Sequence, residues 1–142
     1  MDQKLDSNEL KLIRAFKEDN LFAPIASGTS CPDILAVVPC SMGTMSRIAN
    51  GNSANLIERA ADVVLKQRKR LIIVPRETPL HGIHIENMLK LSQNQAVIVP
   101  PAPGFYQNPK TIEDLVDFVV GKILDSMDIE HNIYPRWNSS LT

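Results

Sequence analysis

No stretch of this 142-residue sequence approaches the roughly 20 consecutive apolar residues that a membrane-spanning helix needs. Long basic runs are missing too. With 15 Lys+Arg against 16 Asp+Glu the formal net charge is −1, which argues against sequence-independent nucleic-acid binding through phosphate neutralisation. Met1-Asp2-Gln3-Lys4-Leu5-Asp6 has neither the basic start nor the apolar core of a signal peptide. Cysteine is scarce: Cys31 and Cys40 are the only two, which fits a reduced, cytoplasmic protein and not a disulfide scaffold. Gly28 and Gly43 are isolated, and no glycine-rich turn follows a strand within the first 30 residues. What is present is ordinary globular composition, 44% apolar and 22% charged. The length predicts one domain over residues 1–142, with 128–142 as a C-terminal tail.

Three apolar runs punctuate the chain. Ile34-Leu35-Ala36-Val37-Val38-Pro39, Leu71-Ile72-Ile73-Val74 and Ala96-Val97-Ile98-Val99 carry no polar break, as strands buried on both faces of a parallel sheet do. Helical spacing fills the gaps. A short amphipathic helix is predicted over Ser7 to Lys17 on Leu10, Ile13 and Phe16. A two-turn helix near Met45 to Ala49 breaks at Gly51. Asn52 or Ser53 is then expected to cap a helix over Ala54 to Arg68, with Ile57, Ala60, Ala61, Val64 and Leu65 as its core stripe. A further helix is expected near Ile83 to Leu91. Thr111-x-x-Asp114 reads as a capping box opening a helix that carries Ile112, Leu115, Val116, Val119 and Ile123 on one face. Strand and helix alternate, which predicts βαβ units and a Rossmann-like three-layer α/β/α fold with a parallel sheet. Three strands make that sheet narrow, since about 4 to 6 is usual.

The second apolar run stops at Pro75-Arg76-Glu77-Thr78-Pro79. Ligands of open α/β sheets bind just outside the carboxyl ends of the strands, so Arg76 and Glu77 stand where a fixed charge and a proton carrier are useful. The first run ends in Cys40-Ser41-Met42-Gly43-Thr44, which is either a plain helix cap or a cradle of N–H groups and hydroxyls for an anion. Arg59, Asp62 and Lys66 share a helix face at i, i+3 and i+7, the pattern of a solvated charged face. His81-x-x-His84 invites a metal reading but has no well-placed third ligand, so no metal is expected.

Taken together, several stretches resemble the flavin prenyltransferases of ubiquinone biosynthesis. They include Pro39-Cys40-Ser41-Met42-x-Thr44, Ile48-Ala49-Asn50-Gly51, Arg59-Ala60-Ala61-Asp62-Val63-Val64-Leu65-Lys66 and Val74-Pro75-Arg76-Glu77-Thr78-Pro79-Leu80-His81. Ala96 to Pro101, Gly104-Phe105-Tyr106 and Pro135-Arg136-Trp137 follow in the family's order. The resemblance implies a Rossmann-like flavoprotein that binds FMN and joins the dimethylallyl group of dimethylallyl phosphate to its reduced form, releasing phosphate. It implies a homo-oligomer, typically a dodecamer with sites where three subunits meet, and a separate decarboxylase that uses the prenylated flavin. It also implies an N-terminal strand and glycine-rich turn that are not found in this sequence. A truncated reading of a longer chain and a short homologue completed by another polypeptide both fit that difference.

By the same resemblance, Ser41, Met42, Gly43, Thr44 and Arg76 belong to the FMN site, and Tyr106 and Lys122 to the dimethylallyl phosphate site. Glu77 helps the departing phosphate or relays a proton. Arg59 and Lys66 reach into a neighbouring subunit's phosphate site. Trp137 lines the prenyl pocket, where an aromatic face stabilises allylic cation character. Two positions depart from the family pattern: Gly43 where lysine is common, and Lys122 where arginine is usual, which keeps the charge but loses bidentate geometry. Two other functions compete. A flavin-dependent cysteine decarboxylase of related fold normally has a catalytic histidine in its N-terminal half, and none precedes His81. A non-catalytic FMN-binding or assembly subunit is favoured by Gly43 and Lys122.

Overall fold

The computed structural model describes residues 11–136. Strands β1 (Ile34–Cys40), β2 (Arg70–Pro75) and β3 (Val97–Ile98) form one parallel sheet in the order β1-β2-β3. Helices α1 (Met42–Ala49), α2 (Leu56–Lys66), α3 (Gly82–Gln93) and α4 (Ile112–Ser126) connect and flank the strands. Ile34 pairs with Arg70 and Val37 with Ile73, then the register shifts so that Cys40 stands opposite Pro75.

β2 is the middle strand, and its unbroken apolar run is explained by what lies on its two faces. Leu71 and Ile73 point into a core with Val37, Met45, Ile48, Val64 and Leu91, contributed by β1, α1, α2 and α3. Ile72 and Val74 point the opposite way, against Val99 and Ile123, with Val119 of α4 beside them. Successive strand residues alternate faces, so one run serves both layers. Burial of each such side chain contributes ~1.5–3 kcal/mol, and Ile73→Ala would cost ~2–5 kcal/mol through the cavity it leaves. The expected three-layer α/β/α arrangement is what forms.

Several details differ from the sequence reading. First, β1 is not buried throughout. It lies at an edge among the described residues, and Val38 is 52% exposed. Second, β3 is only two residues long, because Pro100 and Pro101 have no N–H to extend the ladder. Val99 still donates to the Ile73 carbonyl at 2.9 Å. Third, α1 starts at Met42 and not near Met45, since Ser41 caps it. Asn55, not Asn52 or Ser53, caps α2, its side chain accepting from the Glu58 N–H at 2.9 Å. The Asn52 N–H is already used on the Arg47 carbonyl, closing α1, and Arg68 at φ 53° turns the chain after α2.

Fourth, the buried faces rotate. In α2, Leu56 and Val63 join Ala60, Ala61 and Val64 in the core, while Ile57 is exposed. The capping box of α4 is present, with Thr111 and Asp114 bonded reciprocally. Its buried residues are Phe118, Gly121 and Ile123, and Ile112 and Val116 face solvent, because only the second half of α4 packs on β2. Of the helix expected at 7–17, residues 11–12 are helical and 13–17 are not; Leu10 lies outside the described residues.

Candidate active site at the carboxyl edge of the sheet

The carboxyl ends of β1 and β2 meet through one backbone contact: the Arg76 N–H donates to the Cys40 carbonyl at 3.0 Å. Arg76 is thereby held beside the Ser41–Thr44 turn. The Ser41 Oγ accepts from the Thr44 N–H at 3.2 Å and lies 3.0 Å from Thr44 Oγ1. One of the free N–H groups of α1 is satisfied in this way, and the first-turn donors around Gly43 have no acceptor within the helix. Gly43 is exposed, whereas the Met42 side chain is buried in the core, so Met42 serves the turn through its backbone. Beneath the turn, Cys40 is fully buried, and burial pushes its thiol up to about 11, partly offset by the Met45 N–H. It is a packing residue and not a nucleophile.

Outside these strand ends lies a cleft of about 510 Å³, lined by Arg76, Glu77, Thr78, Leu80, Met88 and the Pro100-Pro101-Ala102 segment after β3. The Arg76 guanidinium is exposed and has no ion-pair or hydrogen-bond partner among the described residues. Glu77 does not pair with it, and its carboxylate instead accepts from the Thr78 N–H at 3.0 Å. A planar fork of donors therefore stands open over an apolar floor. At the next helix His81 takes the N-cap position of α3 and stacks on His84, with ring centroids 3.6 Å apart. No group of three or more metal-ligating side chains occurs among the described residues.

Tyr106 and Lys122 come together at a second place, on the Phe118 ring, and neither lines that cleft. Tyr106 sits in a 3-10 turn (Phe105–Gln107), edge-on to Phe118 with centroids 6.0 Å apart. Lys122 Nζ stands 5.5 Å from the Phe118 ring centre and 5.2 Å from that of Tyr134. The Tyr134 hydroxyl, opposed by partial burial, raises the Lys122 pKa, with smaller help from Asp125 and Tyr106.

Asp125 organises this group. Its carboxylate accepts from Tyr134 OH at 2.6 Å, lies 3.1 Å from His131 Nε2 and pairs with Arg136 Nη2 at 2.8 Å. These partners hold the carboxyl at about 2, with the Tyr134 bond the largest cause. The sequence reading gave no role to Asp125, His131 or Phe118. A signal was available: Phe118, Lys122 and Asp125 are spaced i, i+4 and i+7, on one helix face.

The other candidates remain apart. Arg59 pairs with Asp62 at 3.6 Å on the exposed face of α2, and Lys66 is exposed at the end of that helix. Neither lines the Arg76 cleft. Trp137 lies outside the described residues. Glu58, on the same helix, has a partner the spacing did not suggest. It is fully buried and ion-paired with Arg47 of α1, and also accepts from the Ala54 N–H at 2.9 Å.

Comparison with known proteins places these features in a family. The family model described as Flavoprotein matches residues 3–124. The flavin prenyltransferase UbiX of Halalkalibacterium halodurans is 60% identical over 119 residues, covering 84% of this chain and 58% of the relative. That of Methanocaldococcus jannaschii is 48% identical over 137 residues, covering 95% of this chain and 74% of the relative. Among solved structures, AnUbiX (PadA1) in complex with FMN and dimethylallyl pyrophosphate superposes with a TM-score of 0.84 at 47% identity, covering 86% of this chain and 65% of that one. A dodecameric FMN-dependent UbiX-like decarboxylase from Escherichia coli O157:H7 gives 0.85 at 40% identity, covering 97% and 76%. The chain spans about three fifths of the length of the first curated relatives it matches, 58% in two cases and 60% in a third. On these matches and on the parallel α/β fold they share, this chain belongs to the flavin prenyltransferase family of flavoproteins.

Proposed function

We propose that this chain is the FMN- and allylic-phosphate-handling part of a flavin prenyltransferase, and that the whole enzyme transfers a dimethylallyl group from dimethylallyl phosphate to reduced FMN. The observation that carries this reading is the placement of the Arg76 guanidinium, unpaired among the described residues, beside the amino end of α1 at the carboxyl edge of the sheet.

The donor set fits FMN. Arg76 offers the planar fork suited to phosphate, and Ser41, Met42, Gly43 and Thr44 offer N–H groups and hydroxyls at a helix start. When bound, reduced FMN supplies the electron-rich ring that takes the prenyl group. The chain's own residues hold and neutralise. Tyr106 and Lys122 take the substrate phosphate and balance its growing charge as it leaves, Lys122 as a point charge. Glu77 hands a proton to the departing phosphate or relays one away from the flavin. Arg59 and Lys66 serve the same phosphate from the exposed face of α2 in a neighbouring subunit. Trp137 offers an aromatic face to the allylic group.

The same proposal includes one flavoprotein domain over residues 1–142, a cytoplasmic location, a homo-oligomer of the dodecameric kind, and a decarboxylase as user of the prenylated flavin. No helix among the described residues is long and apolar enough to cross a membrane. Mixing the purified protein with reduced FMN and dimethylallyl phosphate is expected to yield a flavin heavier by one prenyl group, read by mass spectrometry. Bound FMN with no change in mass would replace this reading with that of a non-catalytic FMN-binding subunit.

A further inference from the structure

Asp125 sits at the centre of the Lys122 group, and the proposed reaction gives it no task. Both its oxygens are engaged. Oδ1 faces His131 Nε2 at 3.1 Å and Arg136 Nη2 at 2.8 Å. Oδ2 accepts from Tyr134 OH at 2.6 Å and lies 3.9 Å from Lys122 Nζ. One carboxylate thus ties three residues of the segment after α4 to the helix itself, and the aromatic ring it anchors is one of the two over which Lys122 lies.

We propose that Asp125 is a positioning residue of the allylic-phosphate site: by anchoring Tyr134, His131 and Arg136 it fixes the Tyr134 ring beside Lys122 and so presents the Lys122 ammonium to phosphate. The identity of the phosphate as dimethylallyl phosphate rests on the prenyl-transfer reading. The placement of Lys122 does not.

Three features carry the inference. Lysine is a flexible four-carbon stem ending in a point charge, so its position is set by what surrounds it and not by its own geometry. Here the surroundings are two ring faces and a carboxylate, and two of those three depend on Asp125. Second, the contacts are unequal. Tyr134 and Arg136 bind the carboxylate closely, while Lys122 stays at 3.9 Å, beyond ordinary hydrogen-bond length. Lys122 is attracted into place without being taken up by a tight ion pair, so the N–H donors it does not turn to the Tyr134 hydroxyl remain for another acceptor. Third, the fit is close. A Cβ at Gly121, on the turn between Phe118 and Asp125, would lie 2.3 Å from Tyr134 Cδ1 and 2.8 Å from His131 Cε1. The segment rests directly on the helix backbone and has no slack to reposition the ring.

A role confined to stapling the segment would lower stability and leave Lys122 untouched, and the experiment separates the two. The full chain is labelled with ¹³Cε-lysine. The Lys122 signal, assigned with K122R, is expected upfield because the ammonium end lies over two ring faces. D125N is expected to return that signal to the position of a solvated lysine and to weaken dimethylallyl phosphate and inorganic phosphate, titrated calorimetrically, by about tenfold. D125E, which keeps the carboxylate, is expected to recover most of both. Y134F removes the hydroxyl but keeps the ring. It should shift the Lys122 signal part of the way, and it serves as the test if D125N does not fold. An unchanged Lys122 signal and unchanged phosphate affinity in a folded D125N, or in Y134F where D125N fails, would overturn the proposal, as would a wild-type protein that binds neither phosphate. Prenylation of FMN by the wild type is scored separately. Its absence removes the prenyl-transfer reading, while the lysine signal and the phosphate affinity still decide the role of Asp125.

Discussion

The Arg76 N–H and the Cys40 carbonyl, 3.0 Å apart, join the exits of two parallel strands. Residues 36 apart in sequence become neighbours, and with them an arginine and a helix start. Neither is a phosphate site by itself. In the proposed function they make one together, because the arginine brings charge and a fork while α1 brings oriented N–H groups and the positive end of its dipole.

Arg76→Ala is expected to weaken FMN binding at least tenfold, since a charged hydrogen-bonding partner is worth about 1.5–3 kcal/mol. Folding stability should move by less than about 0.5 kcal/mol, because the side chain is exposed. Arg76→Lys should recover only part of the affinity. Flavin fluorescence titration and chemical denaturation on the same samples measure the two effects. Equal losses in both would show that Arg76 is structural.

Glu58→Ala is expected to cost about 3 kcal/mol, far more than an exposed helix charge. The change empties a fully buried site, leaves the Ala54 N–H without its acceptor and takes from the half-exposed Arg47 its charged partner. Burial alone would raise the Glu58 pKa, but hydrogen bonds from Arg47, Ala54 and Asn55 together lower it. A carboxyl lowered on folding stabilises above its unfolded value and ceases to do so as pH falls through the folded one. The stability gap between wild type and Glu58→Gln, followed by urea unfolding, should therefore narrow on acidification from pH 5 downward.

Asp125 predicts an acid transition with a defined window. Its carboxyl is held at about 2, against an ordinary value of 3.8. The sign is that of a lowered acid: the contribution is full above about pH 4, declines between about pH 4 and pH 2, and is gone below. With its side chain 27% exposed, that contribution is on the order of 1–2 kcal/mol after solvent screening. Denaturation of wild type and Asp125→Asn across this range should converge at the acid end. A gap that persists at pH 2 would count against the assignment.

Gly121→Ala tests the close approach in α4. In an exposed helix the change would stabilise by about 1 kcal/mol. Here the new Cβ would lie 2.3 Å from two Tyr134 ring carbons. Overpacking of this kind costs about 1–3 kcal/mol, so net destabilisation is expected. Protease sensitivity of the 131–136 segment should rise with it, and a more stable, equally protected variant would refute the packing.

Much of the architecture was legible along the chain. The polar-free run Leu71 to Val74 announced a strand covered on both sides, and β2 is the middle strand of its sheet. The capping box Thr111-x-x-Asp114 appears as read. Local chemistry was enough in both cases: one side chain caps the backbone three residues on, and one hydrophobic run excludes water from both faces. Helix faces were less legible. Ile57, Ile112 and Val116 carry the right spacing for core positions yet face solvent, because periodicity gives the width of an apolar stripe but not which part of a helix lies over the sheet.

The sequence by itself determined the strand-helix alternation, the place of Arg76 and Glu77 at a strand end, and the turn at Ser41. These follow from hydrophobic runs, prolines and caps, whose effects reach only a few residues along the chain. Only the tertiary structure decided that Arg76 and the Ser41 turn share one edge, that Glu77 accepts from the Thr78 N–H and does not pair with Arg76, and that Arg47 holds the buried Glu58. It also decided that Asp125 gathers the segment after α4. The physical reason is the same each time: a charge finds its partner across packed elements, and which elements pack is settled by burial of the sheet and not by the order of residues.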